Sequence, residues 1–331
     1  MYTTISQQQA EILKKIAQKN NLLSYSRIIL LLAAIYFLYL MMYEKNHLYG
    51  FVSLALIVAF IIVVNIYLKV QSKIAYHKTL KQINTDEISF LEGNHQFNNG
   101  IEYQNPQHAF SYDLDLFGSN SIFQFINRTG TFLGKDALAK SLEEIPTEES
   151  ILKKQEAVKE LSEKLNFRQH FQTLSLLAGT TEKEDQAIKK WTESISENPK
   201  TFMQFFAVLI PVLLLVSIAG SVFNWHLVFT KLTVFFFTLN LLLIGYFSQH
   251  ILKEIGKSDR IANSLTQYSK MLQTFETEKF QSVYLNDLQS QLQSNQKTAY
   301  QSVTQLANHF EKLNTIANLF VFIALNGTFQ Y

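Results

Sequence analysis

The chain has 331 residues, of which 47% are hydrophobic and 17% charged, with 27 Phe, 11 Gly, 4 Pro and no Cys. This composition excludes a collagenous or wholly disordered chain. The absence of Cys excludes disulfides, Cys-based zinc sites, iron–sulfur clusters and cysteine nucleophiles, and the shortage of glycine argues against a nucleotide-binding α/β domain. The hydrophobic residues must therefore fill a large core or form membrane spans.

The hydrophobic residues are concentrated in four runs, each near the roughly 20 residues needed to cross a bilayer. The runs are 28–43, 48–64, 205–223 and 227–247, and Lys231 supplies their only charge. Soluble core helices rarely lack a polar stripe over such lengths. Short links at 44–47 and 224–226 join the runs in pairs, so we expect a mainly α protein with two transmembrane helical hairpins.

Basic side chains flank the ends of the spans that are remote from the two links. They are Lys14, Lys15, Lys19, Arg27, Lys69, Lys73, Lys78, Lys81, Lys189, Lys190, Lys200, Lys253, Lys257 and Arg260. This distribution predicts that the soluble segments and both termini are cytoplasmic. The spans contain few polar groups, namely Asn65, Pro211, Lys231 and Asn240, so we favour anchoring over a transport pathway.

Five segments follow from these patterns. They are a cytoplasmic N-terminal helix (1–27), the first hairpin (28–69), a helical segment (70–200), the second hairpin (201–250) and C-terminal helices (251–331). Segment 70–200 has 15 basic and 19 acidic residues, a net charge of −4. That sign argues against autonomous nucleic-acid binding, which depends on neutralising phosphates.

The middle of the chain mixes irregular and helical patterns. Residues 84–110 are the least regular stretch, and the alternation over 113–118 predicts a strand-like element that ends at Gly118. Ser119 or Asn120 is expected to cap a short helix through Ile126.

Longer helices are expected on both sides of the second hairpin. The first two run over 132–144 and from Pro146-Thr147 onward, where Ile151, Val158 and Leu165 start an apolar stripe that reaches Gly179. Two more are expected over 248–275 and 297–325. The last keeps a 3.5-residue apolar period, and we favour its packing on neighbouring helices over a dimeric coiled coil.

No residue pattern identifies an active site. The segment from Gly130 to Asp136 looks like a phosphate-binding loop, but it is one residue short and has Asp136 in place of the hydroxyl that meets magnesium. The eight histidines are scattered, which argues against a metal site. Asp113 and Asp115 form a carboxylate pair on one face of the expected strand, for which general acid/base chemistry is one reading. Because no partner residue lies nearby in the sequence, we favour capping or salt-bridging. We therefore assign no residue of the sequence a catalytic, cofactor-binding or metal-binding role.

One stretch resembles a known family. Residues 111–134, which include Asp-Leu-Asp-Leu-Phe-Gly118 and Asn127-Arg-Thr-Gly-Thr131, are similar to the opening of the core (lever) domain of the MutS mismatch-repair ATPases. The resemblance covers roughly 108–178 and 258–331. Its signature residues are Asp113, Asp115, Gly118, Asn127, Arg128, Thr129, Thr131 and Gly134. It implies structural roles at a domain junction, where Arg128 pairs with a carboxylate and Thr129 or Thr131 caps a helix.

The resemblance also implies a function. The chain would be the membrane-anchored MutS-core-like (lever) module of a bacterial inner-membrane protein, from a family that binds mismatched DNA and uses ATP. ATP and magnesium would bind a MutS-type ATPase domain outside this chain, either in a longer reading frame or as a separate polypeptide. Other expected partners are the lipid bilayer, a second copy in a homodimer, and duplex DNA.

The chain also departs from the family. The mismatch-reading wedge has no match, because Phe90-Leu-Glu92 has its letters without its strand context. A transmembrane hairpin stands where a DNA clamp would extend from the lever. The alternative hypothesis is a membrane scaffold that binds a cytosolic protein without nucleotide or nucleic acid, and a third is the membrane part of a transporter.

Overall fold

The computed structural model describes residues 1–44, 46–94, 96–179, 212–214, 216–221, 227–293 and 297–311, with the isolated positions 182, 186 and 209. These residues are mostly helical, which confirms the predicted class for them. No strand occurs among them, although Gln293 and Thr298 form an isolated antiparallel bridge. The chain divides into two compact units. The first combines Met1–Gly179 with Thr274–Gln291, and the second combines Thr180–Gln273 with Leu292–Tyr331.

Two long helices dominate the first unit. Helix α1 spans Tyr2–Glu44 and helix α2 spans His47–Leu91. Asn46 caps α2, because its side chain accepts a hydrogen bond from the Leu48 N–H at 3.0 Å. Both helices are long and apolar enough to cross a membrane by length and composition. Helix α2 continues to Leu91, so residues 84–91, which were expected to be irregular, are helical.

Small and polar residues hold α1 and α2 together in an antiparallel pair. Ser53 is buried, and its hydroxyl donates to the carbonyl oxygen of Ala34 at 2.9 Å. A Cβ atom on Gly50 would lie only 2.7 Å from the sulfur of Met41, so the Met41 side chain packs directly against the Gly50 backbone. The large apolar side chains therefore point outward rather than into the pair.

Residues 92–143 form a small folded region on the end of α2. It contains a 3₁₀ turn (Ile101–Tyr103), α3 (Ile122–Ile126) and α4 (Phe132–Glu143). Its core is built from Leu116, Phe117, Phe123 and Ala139, with Tyr103, Phe110, Leu138 and Leu142 packed against it.

Two local predictions in this region are wrong. Residues 113–118 form turns rather than a strand. Leu116 and Phe117 are neighbours and are both buried, so the segment does not use its alternation. The cap of α3 is Ser121, whose hydroxyl accepts from the Gln124 N–H at 3.2 Å, and not Ser119 or Asn120. Asn120 has φ of 62° and is part of the preceding turn.

Helices α5 (Glu148–Glu163) and α6 (Leu165–Ala178) confirm the helical predictions that follow Pro146. Thr147 caps α5 by accepting from the Ser150 N–H, and Gly179, with φ of 48°, ends α6. The core between α5, α6 and the returning segment 274–291 contains Ala157, Leu161, Phe167, Phe275, Phe280, Tyr284 and Leu285. Ile151 and Val158 are 40% and 66% exposed, so these two residues of the predicted stripe lie outside this core.

The remaining helices are α7 (Leu227–Thr277), which contains the helix predicted over 248–275, and α8 (Val283–Gln291). A further helix is described over 299–311, and the rest of the predicted 297–325 helix lies outside the described residues. In the second unit, Ile261, Ala262 and Leu265 pack against Ala307 and Phe310. Helical residues 216–221 contact the start of α7, where the Ser221 and Thr230 hydroxyls are 3.2 Å apart. The predicted link 224–226 is also outside the described residues.

Candidate functional site

Arg128 lies at the centre of a junction between α2 and the α3–α4 connection. Its guanidinium donates to both carboxylate oxygens of Glu87, at 2.5 and 3.1 Å, and to the carbonyl oxygens of Phe125 and Asn127. The guanidinium carbon also lies 3.7 Å from the ring centroid of Phe97. A two-pronged bond to a carboxylate combined with aromatic stacking is a geometry that arginine makes and lysine does not.

The residues on either side of Arg128 fix the turn that presents it. Asn127 is buried; its side-chain oxygen accepts from the N–H and hydroxyl of Thr129 at 3.0 and 2.7 Å, and its amide donates to the carbonyl oxygen of Asn98. Thr131 caps α4 by accepting from the Gly134 N–H at 3.1 Å. These contacts give the signature residues structural roles, and the predicted carboxylate partner of Arg128 is Glu87.

The other signature residues lie in the turn before α3. Asp113 and Asp115 are exposed, and Asp115 has φ of 49°. Gly118 has φ of 105°, and its N–H donates to the carbonyl oxygen of Asn99 at 2.8 Å. The backbone at Gly118 is therefore one that residues with a side chain rarely adopt. The structure does not bring Asp113 or Asp115 to the Arg128 junction.

The segment that looks like a phosphate loop is a helix start. A Cβ atom on Gly130 would lie 2.3 Å from the Ser175 hydroxyl and 2.5 Å from the backbone nitrogen of Leu176, so glycine is needed for contact with α6. Lys135 forms an ion pair with Glu102 at 2.5 Å. Burial alone would raise the pKa of the Glu102 carboxyl, but the hydrogen bond from Lys135, a backbone hydrogen bond and the charge of Lys135 together outweigh it, and the pKa lies below its usual range. The lysine is therefore engaged within the fold.

A buried polar contact attaches α6 to α2. Asn84 and Gln169 exchange side-chain amide hydrogen bonds of 2.8 and 3.3 Å, and Asn84 is fully buried. Nearby, the Tyr76 hydroxyl lies 2.7 Å from Nδ1 of His170. Burial raises the pKa of Tyr76 and lowers that of His170. Both shifts fit a neutral imidazole whose Nδ1 accepts a hydrogen bond from the tyrosine hydroxyl. Both contacts fix the rotation of α2 relative to α6.

A third polar cluster fastens the returning segment 274–291. The Glu160 carboxylate accepts from the backbone N–H groups of Gln281 and Ser282 at 2.8 to 3.0 Å, just before α8 begins. Lys164 donates to Glu278 and to the carbonyl oxygen of Lys279, both at 2.6 Å. Burial raises the pKa of Glu160, but the N–H donors of Ser282 and Gln281 and the charge of Lys164 outweigh it, so the net shift is downward.

Sequence reasoning missed several of these partners. Glu87, Asn84 and Gln169 act across more than 40 positions of the chain, and no local pattern marks them. For Glu160 the sequence holds only a weak indication of its role: Gln281 and Ser282, whose N–H groups it accepts from, directly precede a helix. A charge that caps another helix cannot be recognised before the two helices are known to meet.

The described residues offer little for small-molecule chemistry. They contain no group of His, Asp and Glu residues that could hold a metal ion. A shallow cavity of about 320 Å³ lies between α5 and α8, and its lining includes Glu149, Lys153, Tyr284 and Asp287. Glu149 and Lys153 are already paired at 2.7 Å. Comparison with known proteins found no matching family, no matching curated protein and no matching solved structure.

Proposed function

We propose that this chain is a membrane-anchored helical lever, the core module of a MutS-related protein. One observation carries the proposal: α1 and α2 are uninterrupted paired helices that leave an exposed apolar surface, and α2 continues directly into the folded region around Arg128. A displacement of that region would be transmitted along the two rods to the membrane, or in the opposite direction.

The exposed apolar surface supports the membrane part of the proposal. Large side chains along both helices are about 40–75% exposed. On α1 they are Leu22, Tyr25, Ile28, Ile29, Leu31, Leu32, Ile35, Tyr36, Leu38, Tyr39 and Tyr43, and on α2 they are Leu48, Phe51, Leu54, Ile57, Val58, Ile61, Ile62, Ile66 and Leu68. Soluble proteins rarely expose apolar patches of this size. We name this surface the apolar belt, and its length of about 31–33 Å on each helix matches a hydrocarbon core.

The organisation of the first unit supports the lever part. The chain leaves this unit after Gly179 and returns at Thr274, so the second apolar pair is an insertion. In the MutS family the DNA clamp extends from the lever domain, and the proposal places the insertion at the corresponding position. The Glu160 and Lys164 contacts fasten the returning chain to α5, as a lever that carries an insertion requires.

Cysteine labelling tests the membrane topology, because the natural chain has no Cys and every introduced thiol is unique. We expect Asn46→Cys to react with an impermeant maleimide on intact cells and Lys15→Cys to react only after permeabilisation. Val58→Cys, in the belt, should stay protected in both conditions. Labelling of Val58→Cys on intact cells, or release of the chain by alkaline carbonate, would contradict membrane anchoring.

A separate test addresses the family. The proposal expects a MutS-type ATPase module encoded directly downstream, and the absence of a phosphate-binding loop there would remove this part of the proposal. With the module present, ATP and magnesium should change the reactivity of a thiol placed at Glu278, where the returning segment meets Lys164. Unchanged reactivity would favour the scaffold hypothesis.

A different feature, the exposed apolar side chains of the folded region, favours the scaffold hypothesis. The folded region at the end of α2 exposes several large apolar side chains, namely Tyr112, Leu114, Ile122, Phe125, Leu133 and Ile145. Partner proteins often cover such residues. A stable complex with a non-ATPase partner, weakened by Phe125→Ser, would favour this alternative.

A further inference from the structure

Arg27 is a cation inside the apolar belt. Two hydrogen bonds fix the alignment of the helices: Ser53 bonds to Ala34, and Gln71 bonds to Asn20. Interpolating between them places the backbone of Arg27 level with about residue 62 of α2, roughly 9 Å below the level of Leu68 at 1.5 Å per residue, while its guanidinium reaches the ring of Tyr67.

The surroundings of Arg27 at that level are apolar. Ile28, Ile29, Ile61 and Ile62 are each more than half exposed, so in a membrane they would face lipid tails. Leu22 and Tyr25, which precede Arg27 on α1, are 70% and 67% exposed. The apolar surface therefore extends beyond Arg27 on the side of the chain terminus.

No described carboxylate neutralises this cation. The guanidinium carbon lies 3.6 Å over the ring centroid of Tyr67, and Nε is buried without a hydrogen-bond partner among the described residues. The nearest acidic residues along α1 are Glu11 and Glu44, which are each about 24–26 Å away along the helix axis. An isolated charge in a low-dielectric region is costly unless it is paired.

The part of the helix pair that adjoins Arg27 on the side of the chain terminus carries only basic charges. Residues 12–27 and 69–85 contain no Asp or Glu, and their cations are Lys14, Lys15, Lys19, Arg27, Lys69, Lys73, Lys78 and Lys81. Lys19, Lys69 and Lys73 are exposed just beyond the belt, at the height of lipid headgroups. Basic clusters in this position attract anionic lipids.

We propose that Arg27, assisted by Lys69 and Lys73, binds the phosphate of an anionic phospholipid. The inference rests on the membrane anchoring proposed above. Tyr67 directly precedes Leu68, the last exposed apolar residue of the belt on α2, and its ring holds the guanidinium at that end of the belt, next to the headgroup level. A phosphate is the anion that this planar donor fork recognises best. The lipid tails lie along the belt, and this continuity favours a lipid over a soluble anion or a nucleic acid.

Native mass spectrometry of the full chain in detergent tests the proposal, with phosphatidylglycerol and phosphatidylcholine as probes. We expect the wild type to retain phosphatidylglycerol in preference to phosphatidylcholine. Arg27→Gln should weaken phosphatidylglycerol binding about tenfold or more, because hydrogen bonds between charged groups are lost. Arg27→Lys should fall between the two. The matched control is Lys140→Gln, which removes the same charge from an exposed position on α4.

Three outcomes would overturn the proposal. Equal phosphatidylglycerol binding by wild type and Arg27→Gln would exclude Arg27 as the ligand. Displacement of the lipid by inorganic phosphate would assign the cations to a soluble anion. Tight duplex DNA binding without lipid preference would assign them to nucleic acid. A circular dichroism spectrum equal to that of the wild type shows that the variant is folded. Carbonate extraction of the wild type tests membrane anchoring by itself, so a failure of anchoring can be distinguished from a failure of lipid binding by Arg27.

Discussion

Breaking the pair between Arg128 and Glu87 should detach the folded region from α2. The side chains are 25% and 15% exposed, between the exposed ion pairs that contribute about 0.2–1 kcal/mol and the buried pairs whose disruption costs about 3–5 kcal/mol. We therefore expect a coupling free energy of about 2 kcal/mol between the two side chains. Arg128→Met should cost somewhat more alone, because it also removes stacking on Phe97 and the bonds to two carbonyl oxygens.

Thiol labelling measures this cost directly. Ala139 is fully buried in the core of the region, so a cysteine at this position reacts only when the core opens. Because 1.4 kcal/mol is a factor of ten in an equilibrium constant, a loss of about 2 kcal/mol accelerates labelling about thirtyfold. The four proteins of the cycle are the Ala139→Cys background, Glu87→Gln, Arg128→Met and the double variant.

The control is another charge pair in the same region. Lys140 and Asp136 are 2.6 Å apart, but the lysine side chain is 66% exposed, and Lys140→Gln should change the labelling rate by less than about twofold. A coupling free energy below about 0.5 kcal/mol between Arg128 and Glu87 would refute the reasoning, since the junction would then be no stronger than a surface pair.

Three further outcomes follow from single contacts and use the same kind of assay. Gly130→Ala should cost about 1–3 kcal/mol, because its Cβ meets Ser175 at 2.3 Å, whereas Gly134→Ala, whose Cβ would lie 3.0 Å from the Thr131 hydroxyl, should cost less; equal effects would contradict the close approach. Asn84→Leu should cost about 1–3 kcal/mol by leaving its buried amide partner unpaired, and a neutral result would show that the contact is dispensable. The lowered pKa of Glu160 stabilises the returning segment above pH 4.5, its unfolded value, and this stabilisation should be lost as the pH falls further; a thiol in that segment should then label faster in acid, and Glu160→Gln should weaken this pH dependence.

Local chemistry explains what the sequence predicted well. The helix that opens at Pro146-Thr147 was predicted from the sequence, and its cap needs only the Thr147 hydroxyl and one N–H three residues later. Of the two caps that the resemblance implied, Thr129 or Thr131, the structure selects Thr131. The first two long apolar runs were equally readable, because helix length and hydrophobicity are properties of a single segment. Among the described residues, the other two runs contain only shorter apolar helices, at Val212–Ser221 and Val228–Leu239.

The wrong predictions required knowledge of neighbours. Alternation over 113–118 predicts a strand only where another strand pairs with it, and the described residues supply none. The seven-residue spacing of Ile151 and Val158 matched a packed stripe, yet the core contacts of α5 use Ala157 and Leu161. The family resemblance implied that Arg128 pairs with a carboxylate, but only the fold shows that the carboxylate is Glu87.

The contacts between α1 and α2 differ between the apolar belt, which the proposed function places in the bilayer, and the part of the pair beyond it. Along the belt, the Ser53 hydroxyl bonds to the Ala34 carbonyl oxygen, and large apolar side chains are left exposed. Beyond the belt, contact is made through neutral polar groups, such as the 2.7 Å hydrogen bond between His77 and Gln9. Because helix interiors are stiff while such contacts are individually modest, rotation of one helix against the other is the motion that this design resists least. If the chain has the proposed lever function, the pair would therefore transmit rotation to the membrane more readily than bending.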